Sequence, residues 1–211
     1  MGLTATTSDA NFKRVPAGNH IARCFSVIDM GTQRTTGQYG EKDQHRIRIA
    51  WEIFGEDDEG LPLTIDIDGQ ELPLTINKAY TLSLHEKAAL RKDLASWRGK
   101  DFTEEELQGF DVSKLLGVYC MVNVVTTESN GKTYSNVSSI TPLHKSMVKP
   151  EPVHQEQILD LDSPDMAVFN SLHEKLQDYI KQSPEWKKSQ GEHVDDSKPK
   201  SSDDLEDDIP F

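Results

Sequence analysis

Between His20 and Pro142 the apolar residues recur mostly at every second position, the spacing that gathers side chains on one face of a strand. The cleanest stripe is Ile47, Ile49, Trp51 and Ile53, with Arg46, Arg48, Ala50 and Glu52 on the opposite face, and it predicts a strand over His45 to Phe54. An earlier strand is predicted from His20 to Gly31, carrying Ile21, Cys24, Phe25, Val27 and Ile28 and ending in the Gly31-Thr32-Gln33 turn. Between the two, Arg34 to Asp43 holds Gly37, Tyr39 and Gly40 without periodicity and reads as a long loop. A charged turn at Glu56 to Gly60 leads to two more alternating runs, Leu61 to Asp68 and Leu72 to Leu84, separated by Gly69. The period then changes. Ala89, Leu90, Leu94 and Trp97 recur at helical spacing within Glu86 to Trp97, and Gly99 is placed to end that helix. Thr103 with Glu106 forms a capping-box pattern for a second, short helix, and Val112 to Leu116 adds a turn. Val118 to Val125 and Thr133 to Pro142 are the last strands, joined through Asn130-Gly131, a dipeptide suited to a tight hairpin.

Three strands, a helix and two strands is the order of a five-stranded Greek-key barrel of the OB type, with the helix between strands three and four. The predicted fold is therefore mainly β and OB-fold-like over residues 19–145, with Leu61 to Asp68 as an extra hairpin arm. Residues 1–18 are small, polar and interrupted by Pro16, and read as a flexible arm. Residues 146–161, with Pro150 and Pro152, read as a linker to an amphipathic helix over 162–184 marked by Met166, Phe169, Leu172, Leu176 and Ile180. That stripe suits packing on its own domain, with self-association into a homo-oligomer as the alternative. Residues 185–211 read as a disordered acidic tail, because few large aliphatic residues remain to bury.

The formal charge of −13 is unevenly spread: residues 1–145 carry −4 and residues 146–211 carry −9. The body is thus close enough to neutral to hold a cationic face. Cys24 and Cys120 fall inside apolar runs, which suits buried thiols better than a disulfide. No apolar run approaches the roughly 20 residues of a spanning helix, so no membrane partner is predicted. No phosphate-binding glycine loop, nucleophile elbow or zinc-ligand spacing is present, and the carboxylates of Glu56 to Glu59 and Glu104 to Glu106 are explained by turn solvation and helix-dipole matching. The chain is accordingly expected to be no enzyme and to need no metal or cofactor.

Binding of single-stranded DNA requires cations along the phosphates and flat side chains for the bases. Arg46 and Arg48 on the predicted outer strand face, Arg23 and Phe25 on the first strand, Arg34 and Tyr39 in the loop after it, Arg98 and Lys100 beside Gly99, and Lys132 and Tyr134 on the last hairpin are candidates. Each has a plainer reading: a solvated strand face for Arg46 and Arg48, dipole matching for Arg98, and core packing for Phe25, as for Trp51 and Tyr80.

The chain ends in Asp207, Asp208, Ile209, Pro210 and Phe211, an acidic tip in which proline stiffens a terminal aromatic. A partner with a basic rim over an apolar pocket would capture it, whereas a solubility tail has no use for Ile-Pro-Phe. This tip resembles that of bacterial single-stranded DNA-binding proteins, a resemblance that implies recruitment of replication, recombination and repair proteins. In the body, Ala17 to Cys24, Asp29 to Gln33, Leu82 to Lys87, Leu94 to Lys100 and Phe102 to Leu107 resemble segments of bacteriophage single-stranded DNA-binding or replication proteins, over roughly Val15 to Leu143. Together the resemblances imply a phage protein that coats single-stranded DNA in the cytoplasm of a bacterial host. The alternative is an interaction protein that uses a mimicked tip to divert host enzymes without binding DNA.

Overall fold

A single long strand, β1 (Gly18–Gly37), organises the molecule by pairing with three others. The structure, a computed structural model, describes residues 13–37 and 40–191. Along one edge β1 runs antiparallel to β2 (Gly40–Phe54) as far as the pair Gly37 and Gly40, so the stretch expected to be a loop is mostly the far end of a hairpin. The outer arm β3 (Thr64–Ile67) and β4 (Gln70–Pro73) forms its own two-stranded sheet, so the run Leu72 to Leu84, read as one strand, is divided and its first residues join the arm expected from Leu61 to Asp68 alone. Strand β5 (Thr75–Thr81) adds to β2, and after the helical segment β6 (Tyr119–Ser129) pairs with Gly18 to Arg23 and with β7 (Lys132–Pro142). Beyond a bulge at Phe25, β1 changes partner on this side and runs parallel to β8 (Gln157–Leu159). The sheet order is β5-β2-β1-β6-β7, with β8 beside β1.

The turn expected at Gly31-Thr32-Gln33 does not form, because β1 runs on through an irregularity there and stays paired with β2, but three other local signals hold. Asn130 and Gly131 both take positive φ between β6 and β7, as the tight hairpin requires. Helix α1 (Ala89–Arg98) ends on Gly99 at φ 66°, whose N–H is accepted by the carbonyls of Ala95 and Ser96. Helix α2 (Glu104–Gln108) starts with the predicted capping box between Thr103 and Glu106, and a 3-10 turn follows over Val112–Leu115.

On the inner face of the sheet Ile47, Ile49, Trp51 and Ile53 meet Ala22, Cys24 and Val27 of β1, Ile76 and Tyr80 of β5, and Leu90, Leu94 and Trp97 of α1. Trp51 and Trp97 lie with ring centroids 5.7 Å apart. Cys24 and Cys120 are free thiols in this core, and burial pushes Cys24 up to about 12.

The expected barrel does not close: no ladder joins the edge strands β5 and β7 among the described residues. Side chains occupy the β7 carbonyls instead. Lys78 Nζ of β5 donates to Val137 O at 3.1 Å, and Ser96 Oγ of α1 donates to Ile140 O at 2.6 Å. Helix α1 lies against both edges.

The C-terminal third departs most from expectation. Residues 146–161, read as a linker, are a strap bound to the body: Tyr119 Oη donates to Pro150 O, Lys149 lies over the Tyr119 ring, and β8 closes onto β1. The single helix over 162–184 is three: α3 (Met166–Ser171), α4 (Glu174–Lys181) and α5 (Pro184–Ser189). The breaks fall where His173 and Ser183 accept from the backbone N–H groups of Lys175 and Trp186 and restart the helix. The amphipathic stripe packs in cis. Phe169, Leu176, Ile180 and Trp186 join Leu159 and Leu161 with Ile28 and Met30 of β1 in a second core. Trp186 stacks on Phe169 at 4.0 Å, which extends the folded body past the boundary drawn at residue 184.

Candidate nucleic-acid interface

The faces of β2 follow the predicted alternation, yet both are largely buried between Ile47 and Ile53. The outer face is covered at one end by the strap. Glu52, with 0% of its surface exposed, accepts Arg23 Nη1 at 2.7 Å, the backbone N–H groups of Val153 at 3.2 Å and His154 at 2.9 Å, and a contact from His154 Nδ1 at 3.1 Å. Burial alone would raise the Glu52 carboxyl, but these bonds outweigh it and hold it below the usual carboxylate range. Arg23 also donates to His154 O and, at 2.6 Å, to Glu156 Oε1, and is 6% exposed. Phe25, 7% exposed, lies against the His154 ring at 4.7 Å. The expectation that Arg23 and Phe25 form a DNA face is therefore corrected: the strap takes both into internal contacts.

Arg48 is corrected in the same way. It is 7% exposed, and Nε donates to Asn77 Oδ1 at 2.9 Å; burial pushes its guanidinium down to about 10. Arg98 ties the end of α1 to the start of α2 through Glu106 and lies over Phe102 and Phe110 at 4.5 and 5.2 Å. It is a structural cation. Arg34 sits far along the β1–β2 hairpin, 3.2 Å from Glu41 and 3.6 Å from Asp43. Lys100 and Lys132 are exposed and Tyr134 half-buried on the β6–β7 hairpin. Tyr39 lies outside the described residues, as do Asp207, Asp208, Ile209, Pro210 and Phe211.

Arg46 is the candidate, among the nine described, that lines the cleft over β2 and β5. It is half-buried in the lining of an open cleft of about 670 Å³ over the uncovered end of β2 and β5, with Lys42, Gln44, Ala79, Tyr80, Thr81, Ser83, His85, Lys87, Ala88 and Ala89. Gln44 Oε1 accepts from Thr35 of β1 at 3.0 Å and from Thr81 of β5 at 3.2 Å, so the floor spans three strands. Among the described residues the groove is lined by three cations and by no carboxylate. The wall opposite is the start of α1, where Ala88 has N-cap geometry and no side chain caps the first turn. Its N–H groups and dipole add positive potential. Tyr80 offers no ring: it is buried, and its hydroxyl donates to Asp93 at 2.8 Å.

Lys42, Gln44 and Lys87 were not among the candidates. Lys42 and Gln44 continue the Arg46 face at the strand period of two, a signal hidden by treating Arg34 to Asp43 as a loop. Among the described residues no group of His, Cys, Asp and Glu is arranged to hold a metal, and no helix is long and apolar enough to cross a membrane. No protein-family model matches the chain, and no curated protein matches it.

Proposed function

We propose that the chain is a non-enzymatic single-stranded DNA-binding protein that acts in phage DNA replication or recombination and recruits partner proteins through Asp207 to Phe211. The observation that carries the reading is the position of the cationic groove. With β5 counted as third strand and β6 and β7 as fourth and fifth, the order 3-2-1-4-5 with a helix between three and four supports reading the sheet as an OB-like fold without its closing strand pair. OB-folds bind oligonucleotides on the face of strands two and three, flanked by the loops joining strands one to two and four to five. The groove of Lys42, Arg46 and Lys87 lies on the second and third strands here.

The test is a titration of fluorescent oligo(dT) by a chain ended at Gly191. Binding tighter than to duplex is expected, with a log–log salt slope near about −2 for roughly three phosphates neutralised on a single strand. No detectable binding at low salt overturns the reading.

A second reading, an interaction protein that mimics the host tip, is favoured by the withdrawal of Arg23, Phe25 and Arg98 into internal contacts. The combined substitution Lys42→Glu, Arg46→Glu and Lys87→Glu separates the two. Under the DNA reading it abolishes oligo(dT) binding and spares capture of tip-binding partners; under the other, only loss of Phe211 has any effect.

A further inference from the structure

We infer that His45 is a pH-sensitive latch, separate from any DNA binding: its imidazole stands between a carboxylate of β1 and a carboxylate of α5, and it holds α5 on the sheet more firmly when both ring nitrogens carry a proton. Helix α5 meets β1 where the register with β2 shifts between Asp29 and Gly31. Gly31 has φ 68°, and a Cβ there would come within 2.4 Å of Ser183 Cβ, so the sheet admits the start of α5 only at a glycine. Beside this contact the Glu185 carboxylate accepts from the Thr32 N–H at 2.8 Å and from the Thr32 hydroxyl. Thr32 pairs with His45 across the hairpin, which brings the imidazole to the same place. Its Nε2 lies 2.7 Å from Asp29 Oδ1 and its Nδ1 lies 3.6 Å from Glu185 Oε1.

The two carboxylates use the ring differently. Asp29 belongs to the same hairpin and sits at hydrogen-bond distance, so Nε2 keeps its proton and donates to it in the neutral ring as well. The proton that comes and goes is the one on Nδ1, which faces α5. With that proton the ring is a cation within ion-pair reach of Glu185; without it, a lone pair faces the carboxylate. Asp162, in the turn before α3, adds a third negative charge, while Arg34 of β1 is engaged by Glu41 and Asp43 farther along the hairpin. The bond to Asp29, together with the charges of Asp29, Glu185 and Asp162, raises the imidazole above its ordinary value against the opposing effect of burial. Burial alone would raise the Glu185 carboxyl, but the bonds from Thr32 hold it below the usual carboxylate range, so it stays ionised while His45 titrates. The docked state binds the Nδ1 proton more tightly than a state with α5 lifted away. Docking is therefore firmest below about pH 6.5, the ordinary imidazole value, and loosens as pH rises through the raised folded value.

The test is amide hydrogen exchange of the full chain between about pH 5 and about pH 9, with each rate divided by that of the unfolded peptide at the same pH, and with the His45 ring followed by NMR. Protection of the α5 amides of Trp186 and Lys187 is expected to fall about two- to five-fold as His45 loses its proton, the size of one partly exposed ion pair, while the amides of α1 show no such step. His45→Gln is expected to abolish the step. Glu185→Gln keeps an acceptor for Thr32 and removes the charge, and is expected both to abolish the step and to move the His45 titration to lower pH. Protection of α5 that is constant through the His45 titration overturns the inference, and so does a step that survives in either variant or a ring titration that Glu185→Gln leaves in place.

Discussion

Glu52 shows how far one side chain can redirect a surface. On sequence it is the polar member of an alternating strand and belongs with Arg46 and Arg48 on a wet face. In the structure it is an anion without exposed surface, satisfied by Arg23 and by two backbone N–H groups of the strap. A buried charge is tolerated only when fully bonded, so the strap and the strand depend on each other. Glu52→Gln keeps the shape and removes the charge that holds Arg23, and is expected to cost about 3 kcal/mol at neutral pH, read from urea unfolding. Because the Glu52 carboxyl is held below its unfolded value, its contribution is complete above about pH 4.3 and is lost as pH falls through the folded pKa. The stability difference between the two proteins must therefore shrink on acidification and not on going from neutral to alkaline pH; a constant difference would show that the carboxylate charge is not what the strap binds. The strap escaped sequence reading for a physical reason. A proline-bearing stretch with no period gives no local signal, and its order comes from a carboxylate about 100 residues away.

At the level of elements, most of what the pattern of residues dictates is local and was legible: the Ile47 to Ile53 stripe, the Asn130-Gly131 turn, the Thr103 capping box and the Gly99 stop. What was not legible is where a helix restarts. Phe169, Leu176 and Ile180 keep helical spacing through the break between α3 and α4, because short helices wrapped on one core present the same stripe as a continuous one. Pro184, the last residue of the predicted helix over 162–184, is instead the first residue of α5, with Ser183 as its cap. Helix α1 has the opposite property: it begins at Ala88 with no cap of its own. Placing an acceptor there pits fold against function. Ala88 already has the backbone geometry of an N-cap, so Ala88→Asp is expected to stabilise the protein by about 1 kcal/mol in thermal or urea unfolding. The same carboxylate takes up the N–H groups and puts a negative charge into the groove, and oligo(dT) affinity at low salt is expected to fall several-fold, about 5 to 10. A variant more stable than its parent and unaltered in DNA affinity would remove the helix start from the interface.

For the whole molecule, the fold moves the boundary between body and tail, and with it the meaning of the net charge. Residues 146–191 belong to the body through β8 and the second core, so residues 13–191 carry −6, and residues 192–211 carry as much again in about a tenth of the chain. Those 20 residues bear 8 acidic against 2 basic side chains, and on the DNA-binding proposal this charge is expected to compete with phosphate for the cations of the groove. The competition is electrostatic and is screened by salt over a Debye length of about 10 Å at 0.1 M and about 3 Å at 1 M. A chain ended at Gly191 is therefore expected to bind oligo(dT) about 5- to 10-fold more tightly than the full chain at about 20 mM salt, and within about two-fold at about 0.5 M. Replacing the 8 acidic residues of 192–211 by their amides in the full-length chain must reproduce the gain, since it removes charge and keeps length. Equal affinities at low salt would mean that the tail does not reach the groove cations, and a gain that persists at high salt would mean that it obstructs the groove by bulk and not by charge.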